Sequence, residues 1–377
     1  MSLRYLDITL TPTDRFFFGG EIIFGQQGDD ERRRSYLVKS RTLPQQTSLL
    51  GMLRYELLRA HDALAPYATI ADRTTAEKLV GNTGFDVSQQ VAAYGSIKGL
   101  SPVSLHDGIS VWSSLPLDDG PYTWKRVMDR YWQLDGYDPK QGVALTFGEA
   151  GGQQRPLATV FDAQTIVGNR ISNRHYRGAA VAGQEDEGFF RQTFLRNITS
   201  AYAENQRAFS FVFRVAIDAA VLGAAAGAKF MVQRKVTLGG ERSQFSFIAK
   251  DVTTEIGATE NALADFLPNP TYQNNADPLP GHRRIVFQSD VFLPKELLVG
   301  NDCFLLAEPL PFRFLNSRLD ERKASKNFNH RRESKGFQLL QRGGVLIVPA
   351  AKANAITHSI NTLEPFRKIG YNYCTHV

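Results

Sequence analysis

Lys39 and Arg41, then Gln46, Thr47 and Ser48, place two cations and three hydrogen-bonding side chains at the head of an apolar-striped segment. Leu49, Leu50, Leu53, Leu57 and Leu58 recur at helical spacing, which predicts an amphipathic helix starting near Thr47. Helix starts favour Asp or Glu, because unpaired N–H groups leave partial positive charge there. Here the run from Tyr36 to Tyr55 holds no acid, and Glu56 is the first. Two readings are open. A Thr or Ser N-cap satisfies an exposed helix start without an acid. Free amides and hydroxyls beside two cations also suit a phosphate. Arg54, beyond Thr47 and off the leucine stripe, is either a solvent-facing arginine or a further contact from the helix body.

Three other constellations could do similar work. The block "GNRISNRHYRG" interleaves Arg170, Arg174 and Arg177 with Asn169, Asn173, His175 and Tyr176. Guanidinium planes and aromatic rings stack bases, and amides read base edges, though a bare polar loop has the same composition. In "TLGGER", Gly239 and Gly240 precede Arg242, which fits a hairpin turn or a close approach of backbone to nucleic acid. Residues 313–335 hold eight Lys or Arg and three Asp or Glu, so this segment carries +5 of the net +6. It reads as a solvated loop or as an arm, including Lys326, Arg331 and Arg332, that orders on RNA.

Other chemistry is scarce. No P-loop, G-x-S-x-G, H-E-x-x-H or EF-hand pattern occurs, and the seven histidines are scattered. The two cysteines, Cys303 and Cys374, lie far apart and outside any C-x-x-C, which argues against structural zinc or a disulfide framework. No metal or cofactor is implied. The start "MSLRYLDITL" lacks a basic-then-apolar signal, and the apolar stretch 216–232 is broken by Asp218 and Lys229. A cytoplasmic protein that spans no membrane is expected.

The elements that must position these groups mix strands and helices. Residues 3–12 alternate as a strand, with Leu6, Ile8 and Leu10 on one face. Residues 25–34 read as a polar loop and 110–160 as an irregular insertion rich in Gly, Pro, Asp and aromatics. Strands are predicted at 209–217, in "VTLGGERSQFSFIAKDV", at 283–293 and in "GGVLIVPA", with an Ala-rich helix over 218–230. The fold class is therefore α+β.

Taken in order, "PTDRFFFGGE", "RTLPQQTSLLGMLR", "AAYGSIKGLSPV", "IVGNRISNRHYRGAAVAGQEDEGFFRQTFL" and "TLGGERSQFSFI" resemble one RAMP-superfamily subunit of type III-B CRISPR effectors. It is the subunit at the foot of the Cmr complex. The resemblance covers roughly residues 3–250 and is weaker beyond; where the family often has a Gly-Ser turn before a late strand, this chain has "QRGGVLIV". It implies two ferredoxin-like, RRM-related modules with glycine-rich loops, here divided as 1–205 and 206–377. It also implies a non-catalytic subunit that holds the 5′ tag of the crRNA. Its partners would be the polymerase-like large subunit and the first backbone RAMP subunit, with target RNA met only indirectly.

Two further functions compete. A metal-independent CRISPR RNA processing endonuclease would share the architecture and needs a general acid and base beside one 2′-hydroxyl; His61, His175 and Tyr176 are the candidates. A protein adaptor would use the basic segment on an acidic partner.

Overall fold

In the computed structural model, residues 1, 21, 25–35, 66–68, 89–90, 120–122, 128–130, 139, 141, 150–151, 171–187, 199–207, 240, 258–260, 269–280, 299–302, 320–327, 333–335 and 377 lie outside the described structure. For 22–24, 36, 123–124, 126, 131–132, 168–170, 188–190, 317–319 and 328–332 only the backbone is described. The fold is mixed α and β, with strands dominating. Among the described residues no helix is long and apolar enough to cross a membrane.

The first sheet grows around β1 (Leu3–Pro12), whose Leu6, Ile8 and Leu10 are fully buried as the alternation predicts. Helix α1 (Gln46–Ala60) follows and leads to β2 (Ile97–Leu100). Then come β3 (Ser210–Asp218), two short helices and β4 (Ser243–Asp251). The strand order is β4-β1-β3-β2, and every neighbouring pair is antiparallel. The Ala-rich stretch is split at Gly223, whose φ of 65° ends one helix and starts the next, so it is not the continuous helix predicted. All five leucines of the α1 stripe are buried in the main core against this sheet.

A second sheet repeats the same order in the C-terminal part. Its strands are β5 (His282–Phe287), β6 (Phe304–Leu306), β7 (Val345–Pro349) and β8 (Cys374–His376), arranged β8-β5-β7-β6, again all antiparallel. A 12-residue helix, Ala350–Asn361, joins β7 to β8, while among the described residues between β5 and β6 the one helical element is a three-residue 3-10 turn, Lys295–Leu297. The division expected at 205/206 falls between β2 and β3, within the first sheet. All four strands of the second sheet lie beyond β4.

The 110–160 stretch is not a detached insertion. Val111–Ser114, Thr146–Glu149 and Gln154–Pro156 continue the first sheet outward through Ser104–His106, which pairs with β3 beyond β2. Its Gly and Pro content hid three short strands, because each is only three or four residues long. This stretch also ties the two sheets together. Leu117 N–H donates to Gly343, and buried Asp118 lies 3.0 Å from buried Arg284 of β5. Arg342 adds a link, with Nη1 donating to the Val103 carbonyl and Nε 3.3 Å from Asp290.

The basic segment differs from the loop its charges suggested. Leu315–Leu319 pairs with Phe328–Arg332 as a hairpin. Its base is held by Phe314, buried against Phe85 with ring centroids 4.8 Å apart, and by an Asn316 amide donating to Asp86 at 3.0 Å. The polar residues that make up most of both strands, LNSRL and FNHRR, hid them behind a loop-like composition. Residues 25–34, expected as a loop, lie wholly outside the described residues.

Candidate nucleic-acid interface

The Phe16–Phe18 triad is where four of the five motif segments meet. Phe16 and Phe18 point inward: Phe16 meets Phe161 and Phe211 edge-to-face at 5.0 and 5.4 Å, and Phe18 stacks on Phe245 at 5.8 Å. Each backbone amide of the triad then goes to a different segment. Phe16 exchanges two bonds with Leu195, at 2.7 and 2.9 Å. Phe17 N–H donates to the Ser243 hydroxyl at 2.9 Å. Phe18 N–H donates to the Ser40 hydroxyl at 2.9 Å, and Arg41 N–H returns a bond to the Phe18 carbonyl. Buried amides must find partners, so these bonds fix four distant stretches at one place.

Glycine permits the close passage. A Cβ on Gly20 would lie 1.8 Å from the Lys39 carbonyl oxygen, and one on Gly239, whose φ is +83°, would lie 2.6 Å from that of Phe17. The glycine of "LGGER" therefore approaches the chain's own backbone. Gly240 lies outside the described residues; Arg242, exposed and with φ of 53°, ends the turn by donating its N–H to the Gly239 carbonyl at 3.1 Å. We expect Gly20→Ala to push the Lys39 strand aside. Thermal denaturation should show a cost of roughly 2 kcal/mol, with RNA affinity, read by fluorescence anisotropy, falling as well.

Lys39 ends the strand Tyr36–Lys39, which runs parallel to Gly188–Asn197. That strand pairs along its whole length with Phe161–Arg170 to make a long hairpin. Lys39 is exposed and makes no ion pair with a described residue. Arg41 is half-buried, and its guanidinium donates to the Pro311 carbonyl at 2.5 Å, just ahead of the basic hairpin. Exposed Arg15 lies 5.2 Å over the ring of Phe194, which packs on Phe17 at 5.4 Å. Guanidinium, ammonium and an open aromatic edge thus gather around the triad.

The start of α1 is closed, contrary to the open cradle its sequence suggested. Gln45 caps without a side-chain bond, and no acid occupies the first turn. The Gln46 amide instead faces the hydroxyl of Tyr371, which burial pushes well above its usual range and so keeps protonated. The Gln46 side chain has no exposed surface. It donates to the Ser101 carbonyl at 2.9 Å and leaves no room for a Cβ on Gly370. Ser48 N–H bonds back to the Gln45 carbonyl, and Thr47 and Ser48 are half-buried. Packing by the C-terminal segment, far off in sequence, supplies what an acid would have supplied.

Arg54 is likewise turned inward, away from solvent. It is 7 % exposed and donates to the carbonyls of Val80 and Gly81 at 3.1 and 3.4 Å, closing the C-terminus of helix Arg73–Val80. Burial pulls its pKa down to about 10, so it stays charged at pH 7.

The other expected residues are spread out. Asn169 and Arg170 end the outgoing hairpin strand, with their side chains not described. Asn173, Arg174, His175, Tyr176, Arg177 and Lys326 lie outside the described residues. Arg331 and Arg332 sit on the second strand of the basic hairpin. His61 follows the last turn of the 15-residue α1, about 22 Å from its start. Burial lowers its pKa, so the ring is neutral at pH 7. Among the described residues no three His, Cys, Asp or Glu are grouped to hold a metal ion. Cys303 and Cys374 are both free thiols, and burial pushes that of Cys374 up to about 12.

Sequence reasoning missed Arg15, Ser40, Arg191, Thr193, Phe194 and Ser243. Both "RFFFGG" and "GFFRQTFLRN" set aromatic residues beside arginines, but neither stretch carries a catalytic motif.

No protein-family model matches the chain, and no curated protein matches it. Among solved structures it is similar to a chain of the type III-B Cmr-beta bound to cognate target RNA, determined by cryo-EM. The TM-score is 0.48 at 12% identity, over 98% of this chain and 96% of that chain. A chain of the type III-B Cmr-beta bound to cognate target RNA and AMPPnP, in state 1, matches with a TM-score of 0.44 at 10% identity, over 98% and 96% of the two chains.

Proposed function

We propose that this chain is a non-catalytic, crRNA-binding scaffold subunit of a type III-B CRISPR effector. It anchors the 5′ repeat-derived tag and links the polymerase-like large subunit to the first backbone RAMP subunit. The observation that carries this reading is the Phe16–Phe18 hub. Four of the five segments that resemble the family, separated by up to 226 residues in sequence, are bonded there, with Lys39, Arg15 and Arg242 exposed around them. Phosphates need cations and bases need planar groups to stack on, and this surface offers both.

The two sheets support the architecture that the resemblance implies. Each has the order fourth-first-third-second, the arrangement of a β-α-β-β-α-β ferredoxin-like module. In the first, α1 and the pair of short helices supply both crossovers. In the second, the described part of the first crossover holds the short Lys295–Leu297 turn.

A processing endonuclease is less well supported. His61 and Lys39 sit at opposite ends of α1, so a base at His61 would act far from the cations that would hold the scissile phosphate. Single replacements of His61, His175 and Tyr176 should leave processing and target cleavage by the assembled complex within a few-fold. A true acid or base contributes about 10²–10⁴-fold. Incubating the purified chain with a labelled repeat transcript tests the scaffold reading: bound RNA without a new 5′ end is expected, and a new 5′ end refutes it.

A further inference from the structure

The strands around Lys39 present a second feature that the motifs do not assign. In the hydrogen-bonded register Lys39 lies beside Thr193, and Thr193 lies beside Thr165 on the next strand. Two residues along, Leu37, Arg191 and Val167 form a second row on the same face, because side chains alternate along each strand. The rows sit roughly 7 Å apart and each spans about 10 Å. Lys39, Thr165, Arg191 and Val167 are exposed, Val167 to 61 %. No acid belongs to this grid. Asp162, the nearest on the same strands, is on the opposite face and pairs with Arg196 at 2.9 Å. The two threonine hydroxyls are 3.1 Å apart and bond each other, which leaves one of them a donor or acceptor site facing out.

From this grid we propose a ribonucleotide-binding patch on the hairpin face, selective for RNA over DNA. Lys39 and Arg191 take consecutive phosphates of a single strand. The Thr165–Thr193 pair bonds a ribose 2′-hydroxyl, the group that separates RNA from DNA. Val167 and the stem of Arg191 give a base an apolar surface. The proposal rests on the RNA-binding reading above and extends it from the hub along the hairpin.

The test uses the full chain and two fluorescein-labelled ten-nucleotide strands of equal sequence, one RNA and one DNA, titrated by anisotropy over a range of salt. Thr165→Val with Thr193→Val keeps the β-branched shape and removes the hydroxyls. RNA affinity should drop about fivefold, the worth of a typical hydrogen bond, with DNA affinity unchanged. Arg191→Ala should weaken both strands and lower the slope of log affinity on log salt by about 0.7. Either variant behaving like the unaltered chain overturns the patch. If Lys39→Ala with Arg41→Ala still loses binding in that case, the hub reading survives without the patch. No RNA binding by the unaltered chain overturns both.

Discussion

Lys39→Ala combined with Arg41→Ala is expected to weaken binding of a 5′-tag RNA by roughly 10- to 100-fold, the loss of two solvent-facing contacts worth about 1 kcal/mol each. The salt slope should fall by about 1.4, because each single-strand phosphate contact contributes about 0.7. The two residues will not contribute alike. Lys39 is exposed and spends its charge on nothing described, so its replacement should act on RNA alone. Arg41 also holds the Pro311 carbonyl, so its loss should loosen the base of the basic hairpin and lower thermal stability slightly. Single variants measured by anisotropy and by thermal denaturation separate these effects. A double variant with an unchanged salt slope would sink the phosphate assignment.

Arg54→Ala should act on folding, with RNA affinity of the folded chain unchanged. Its guanidinium closes two carbonyls at the end of a helix in the interior, and water cannot replace it there. Leaving them unpaired should cost about 2–4 kcal/mol, read as a clear drop in Tm. Arg54→Lys reaches fewer acceptors and should recover only part of the loss. A normal Tm with weakened RNA binding would return Arg54 to the interface.

The fold was largely legible where one period ruled a stretch. The first strand was read with the observed bounds, and the alternation that buries Leu6, Ile8 and Leu10 was plain. Three features were not legible, for a shared reason. Gln46, Arg54 and the acid-free helix start all look solvent-facing because their residue types are polar. Each meets partners distant in sequence: Ser101 and Tyr371 for the helix start, Val80 and Gly81 for Arg54. Local sequence carries no trace of such partners. The basic hairpin and the 110–160 strands failed differently, since their strands are short and their composition resembles loops. Within the candidate interface, Lys39, Arg41 and Arg242 could be picked from the sequence as cations beside turns. Arg191 and Thr193 could not, because only the parallel pairing with the Lys39 strand brings them to the same face.

Photocrosslinking of a 5′-tag RNA to the chain, with the attached peptides mapped by mass spectrometry, tests the RNA-binding role most directly. We expect adducts on the segments joined at the Phe16–Phe18 hub: residues 15–20, 36–41, 188–197 and 239–243. Adducts confined to the basic hairpin at 313–335, or none on any hub segment, would contradict it.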